Sequence, residues 1–109
     1  MKLNGEQLGK DILTAFKGVL ENKWPEIKYY GEAEAKKLVQ SLIMIEALIV
    51  SHQINKEQAA LHVEIQKNST RIVLLTLAGL DLLVVEAAIN TALDVVKDTV
   101  NQAVGFALL

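Results

Sequence analysis

The stretch Ile72-Val73-Leu74-Leu75-Thr76-Leu77-Ala78-Gly79-Leu80 constrains this chain most, and its apolar bias persists to Leu93. A helix of that length reaches across a bilayer. Two acids oppose that reading. Asp81 lies near its centre, where an aspartate costs roughly 2.5 to 3.5 kcal/mol, while each Leu, Ile or Val returns only about 0.3 to 0.6. With Glu86 added, the two acids roughly cancel the run, so a buried protein helix is the better expectation. On a helical wheel, apolar side chains of residues 72–89 surround the axis except for a stripe of Thr76, Gly79, Glu86 and Asn90. Such a helix needs cover on nearly every side. Short partners from the same chain leave part of it bare, and a second copy of the chain is the expected cover.

The remaining sequence is helical by period. Asn4 followed by Gln7 reads as an N-cap with its capping-box partner. Leu8, Ile12, Ala15, Phe16, Val19 and Leu20 then share one face of a helix over residues 5–23. Trp24-Pro25 breaks the pattern, because the residue before proline is disfavoured in the helical region. Tyr29-Tyr30-Gly31 is either a turn inside the next helix or its start, and from Glu32 the helical pattern runs to Ile54. Asn55 with Gln58 repeats the cap signature. Residues 56–67 favour helix, although Leu61, Val63 and Ile65 alternate as in a short strand. Asn68-Ser69-Thr70 is a turn with a new cap or a polar patch in a continuous helix, and Arg71 to Val104 reads as one long helix.

These elements predict an all-α protein: a single domain, residues 1–109, built as a small bundle of three to four helices with a long C-terminal helix and completed by oligomerisation. Composition agrees, since 51% of residues are hydrophobic and only 5% aromatic, which suits aliphatic helices packed closely together. The absence of cysteine removes disulfides, thiolate metal sites and cysteine nucleophiles. A net charge of −2 gives no electrostatic reason to expect nucleic acid. Met1-Lys2-Leu3 leads directly into polar residues rather than an apolar leader core, so a cytoplasmic location is expected.

Charge is uneven. Residues 1–71 carry ten Lys or Arg against nine acids, whereas residues 72–109 carry Lys97 alone against Asp81, Glu86, Asp94 and Asp98. Two acids stand on apolar faces. Glu46 lies among Val39, Leu42, Ile49 and Val50, and Asp81 among Leu74, Leu77, Val84 and Ala88. Both are expected to be buried acids, held by a cation or by backbone and hydroxyl groups, where they fix helix register. Carboxylates from two helices can also build a di-metal site, which makes Glu46, Asp81, Glu86 and His62 the metal candidates. No Glu-x-x-His is present, so no metal or other cofactor is assigned. His52 closes the second helix, where a protonated imidazole favours the helix dipole. Trp24, Tyr29 and Tyr30 read as an aromatic anchor between helices.

No serine stands in a nucleophile-elbow context and no glycine loop cradles phosphate, so neither enzymatic activity nor a small-molecule substrate is expected. The expected function is that of a non-enzymatic, self-assembling helical protein, a structural or scaffolding component of a homo-oligomeric particle. Its interface is expected at Leu74, Leu77, Asp81, Val84, Ala88 and Val95 and at the apolar tail residues Phe106, Leu108 and Leu109. Folding of that tail onto its own bundle is the alternative. A membrane-associated or pore-forming helical protein is the second reading, and a carboxylate-lined metal-binding bundle the third.

Overall fold

A computed structural model describes residues 3–77 and 79–109. Met1 and Lys2 of the leader reading, and Ala78 of the apolar run, lie outside the described residues. Among the described residues four α-helices follow one another: α1 (Gly5–Leu20), α2 (Trp24–Val50), α3 (Lys56–Leu75) and α4 (Leu82–Val104), with a 3-10 turn, Glu21–Lys23, between the first two. No strand occurs among the described residues, and the fold is all-α as expected.

The apolar face of α1 is as its spacing predicts: Leu8, Ile12, Ala15, Phe16 and Leu20 are all buried. Asn4 caps α1 by accepting the Gln7 backbone N–H at 3.1 Å. The expected reciprocal bond is missing, because the Gln7 side chain donates instead to Asp11 at 3.0 Å. At Asn55 and Gln58 both halves of the capping box form.

The boundary between α1 and α2 differs from expectation. The chain turns at Glu21, whose φ is 44°, and Trp24 is itself helical directly before Pro25. Proline sits in the first turn of α2, where its missing N–H costs no helical bond. The turn therefore falls earlier, and α2 runs unbroken through Tyr29-Tyr30-Gly31. Gly31 faces the Trp24 ring so closely that an added Cβ would lie 2.5 Å from Cζ3. Of the three clustered aromatics, only Trp24 is buried; Tyr29 and Tyr30 pair edge-to-face on the surface.

Helix α2 ends at Val50, short of Ile54. Its last carbonyls are closed by the His52 N–H on Ile49 and the Gln53 N–H on Leu48, at 3.0 and 2.9 Å. That closure places His52 in the left-handed region at φ 61°, the position glycine usually fills.

The expected long C-terminal helix is two helices. Asn68-Ser69-Thr70 is neither turn nor cap: α3 passes through it, with Thr70 fully buried and its Oγ1 accepting from Gln66 Nε2 at 3.1 Å. The break falls later, in the apolar run. Gly79 takes φ +84°, which a side chain resists. Asp81 then caps α4, its carboxylate accepting the Val84 N–H at 2.9 Å. Helix α3 has by then ended at Leu75, and the left-handed glycine with the capping aspartate overrides the hydrophobic continuity on both sides.

Each helix packs on its chain neighbours, α4 closes on α1, and α2 meets α4 across the diagonal. The short connections make neighbours antiparallel, and the body measures 42 × 23 × 19 Å. The main core joins α1 to α4 through Phe16, Ile12, Val85, Ile89, Val96 and Val100. Ala88 and Ala92, both fully buried, let these two helices approach closely. Each fully buried Leu, Ile or Phe here contributes on the order of 1.5 to 3 kcal/mol. A smaller core of Ile45, Ala59 and Val63 lies between α2 and α3.

The C-terminal tail folds back on the chain's own bundle. Phe106, Leu108 and Leu109 pack against the smaller core, and Asn101 Oδ1 accepts the N–H groups of Leu108 and Leu109, both at 2.9 Å. The tail is thus secured by a side-chain cap as well as by apolar contact.

Two substitutions test these boundaries in urea denaturation. Gly31→Ala is expected to destabilise by about 1 to 3 kcal/mol, because the new methyl overpacks against Trp24. His52→Gly is expected to stabilise by about 0.5 to 1 kcal/mol by relieving the left-handed strain, net of glycine's unfolded-state entropy.

Candidate functional site

The acids marked by the sequence divide into three local solutions. Glu46 is buried as expected, at 5% exposure. Its two oxygens accept the backbone N–H of Leu3 at 3.1 and 3.2 Å, tying the segment before α1 to the middle of α2. Backbone, rather than a cation, is therefore its described partner. Asp81 is not a buried acid. It is exposed and caps α4, so the wheel that placed it among Leu74, Leu77, Val84 and Ala88 fails because no helix runs through it.

Glu86 bridges helices. It pairs with Arg71 of α3 through Nε, with a second, longer contact from Nη2 at 3.4 Å, while Arg71 Nη1 donates to Asn68 Oδ1. The hydrogen bond from Arg71 holds the Glu86 carboxyl below the usual carboxylate range, and the same bond raises the Arg71 guanidinium. His62 is half-buried on α3. Among the described residues no three His, Asp or Glu side chains gather as a metal site. Glu46, Asp81, Glu86 and His62 are not brought together.

Sequence reasoning passed over a different acid. Glu34 on α2 is 1% exposed, receives Lys37 Nζ at 2.9 Å on Oε2, and has no described partner on Oε1. Farther along, Ser41 Oγ donates to Gln66 Oε1 at 2.8 Å, and Gln66 passes the chain of bonds to Thr70. The contact between α2 and α3 is thus partly polar, which fixes their register more than it stabilises them.

The expected interface residues scatter. Leu74 and Ala88 are fully buried in the chain's own core, out of reach of another copy. Leu77 and Val84 are half-buried against that core, and Phe106, Leu108 and Leu109 belong to the tail described above. Val95 is half-exposed among Asp94, Lys97 and Asp98. The tail and the all-round apolar helix therefore no longer argue for a partner.

Exposed apolar surface lies elsewhere. Leu61, Ile65 and Ile72 are 62%, 65% and 64% exposed, and Leu75 is 40% exposed. All four stand on the outside of α3, while Ala59, Val63, Thr70 and Leu74 are buried on its inside. The alternation of Leu61, Val63 and Ile65 that suggested a strand is a helix apolar on two sides. Leu82 and Leu83 at the start of α4 are exposed as well, as are Tyr29, Met44 and Val50 on α2. A cleft of 420 Å³ between α3, α4 and the tail carries Glu64, Lys67, Asp94 and Lys97, a balanced set of charges without a buried anchor. No described helix is long and apolar enough to cross a membrane.

Comparison with known proteins finds no matching family model, no matching curated protein and no matching solved structure.

The Arg71–Glu86 bridge has a pH signature. A depressed carboxyl stabilises the fold above its unfolded pKa, about 4.3, and that contribution disappears as pH falls through the lower folded value. The stability difference between the wild-type chain and Glu86→Gln is expected to stay constant from neutral pH to about 5, then shrink on acidification. Urea melts across that range check it. A difference independent of pH would remove the ion pair as its cause.

Proposed function

We propose that this chain is a non-enzymatic structural protein that works by assembling with copies of itself, as a component of a homo-oligomeric particle. The supporting observation is the outer face of α3. Its exposed Leu and Ile side chains form a row on one face of a regular helix, and large exposed apolar patches of this kind mark interaction surfaces. The polar groups, by contrast, are engaged in caps, helix bridges and register bonds: Asp81 on Val84, Glu86 on Arg71, Ser41 on Gln66.

Assembly in water fits this face better than insertion in lipid. Asn68 interrupts the row, and the charged flank is mixed, Glu57 and Glu64 with Arg71, whereas surface-seeking membrane helices carry a predominance of Lys and Arg there. Light scattering on the intact chain at micromolar concentration is expected to give a mass at least twice the 12.0 kDa of one copy. A single-copy mass throughout that range would overturn the proposal.

A further inference from the structure

The outer face of α3 specifies more than stickiness. Leu61, Ile65, Asn68, Ile72 and Leu75 are spaced four, three, four and three residues apart, and all are exposed. That is the spacing of a coiled-coil seam over two heptads, with one polar residue near its middle. The residues that flank it on one side are Glu57, Glu64 and Arg71; those on the other are His62, Ser69 and Thr76.

These flanks decide the orientation of a paired copy. In a parallel pair, Glu64 would face Ser69 of the second copy, and Arg71 would face Thr76. Glu57 would face His62, a pair of opposite charge only when the imidazole is protonated, and no carboxylate meets an arginine or lysine. In an antiparallel pair the Glu57, Glu64 and Arg71 flank faces itself. Setting Leu61 against Ile72 of the second copy places the two-fold axis between residues 66 and 67, with Ile65 opposite an Asn68 whose Oδ1 is held by its own Arg71, and Leu75 opposite Gln58. The midpoint of Glu64 and Arg71 falls within about one residue of that axis, roughly 1.5 Å along the helix. Each Glu64 then stands beside the other copy's Arg71, twice over by symmetry.

The side chains leave room for this. Glu64 is 59% exposed, and its only described ion pair is a contact of 3.5 Å with Lys67. Arg71 spends three N–H groups on Glu86 and Asn68, and a guanidinium has five. The remaining two can meet a second carboxylate.

From this self-complementary charge pattern we propose that the outer face of α3 is the surface on which two copies pair antiparallel, locked by reciprocal Glu64–Arg71 contacts. The proposal rests on the self-assembly reading and names its surface and geometry.

Charge-swapped variants test it in analytical ultracentrifugation, with thermal melts to verify folding. Glu64→Arg sets Arg against Arg. The double variant Arg71→Glu with Glu86→Arg sets Glu against Glu, while its reversed bridge still joins α3 to α4. Each alone is expected to self-associate about tenfold more weakly than wild type or worse, and an equimolar mixture is expected to recover association. A seam variant, Ile65→Ser with Ile72→Ser, is expected to lose about tenfold or more. If the wild-type chain associates and the seam variant does so equally well, this surface is wrong and self-assembly stands. If the seam variant fails but the mixture does not recover, the antiparallel lock is wrong. Should the wild-type chain remain a single copy and bind vesicles of mixed zwitterionic and anionic phospholipid through the same residues, both the surface's occupant and the self-assembly reading fall.

Discussion

One helix has two apolar faces, and the bundle covers one of them. Ala59, Val63, Thr70 and Leu74 turn α3 inward, while Leu61, Ile65, Ile72 and Leu75 turn outward into solvent. Apolar surface left in water is free energy not recovered on folding. Much of the remaining architecture serves to hold α3 in that pose. Ser41, Gln66 and Thr70 set its rotation against α2, and Arg71 with Glu86 sets its distance from α4. Rotating α3 to bury the seam would break the Ser41–Gln66 bond to α2 and the Arg71–Glu86 bridge to α4.

The main core makes no comparable demand. The contact of α1 with α4 is filled by aliphatic residues and Phe16, with two alanines allowing close approach. The tail closes the smaller core with Phe106, Leu108 and Leu109, held by Asn101. The chain therefore covers its own C-terminal tail, and the longest row of apolar side chains left exposed on one helix is the outer face of α3.

Helical period alone was enough to read α1, its buried face and the all-α class, because apolar residues at three- and four-residue spacing admit few other solutions. The last third misled for a physical reason. Hydrophobic continuity from Ile72 to Leu93 argues for one helix, yet α3 ends at Leu75, Gly79 turns the chain at φ +84° and Asp81 caps the start of α4. Backbone chemistry decides where a helix ends, and hydrophobicity decides only which way it faces. Once the break is placed, Asp81 ceases to be an anomaly. Glu46 was legible as a buried acid, but its partner, the Leu3 N–H, comes from 43 residues away, and no local pattern points to it. The Gly31 contact with Trp24 is hidden for a related reason, since only the rotation of α2 brings the ring over that position. The alternation of Leu61, Val63 and Ile65 mixes outer and inner faces of α3, and it stayed ambiguous until the helix was known.

The most direct test of the account is the methyl NMR spectrum of the chain across a concentration series. Resonances of Leu61, Ile65, Ile72 and Leu75 are expected to shift together with a single midpoint, while those of the core residues Ile12 and Ile89 stay fixed. Seam methyls that do not move, or shifts confined to Leu82 and Leu83, would contradict the claim that a second copy covers α3.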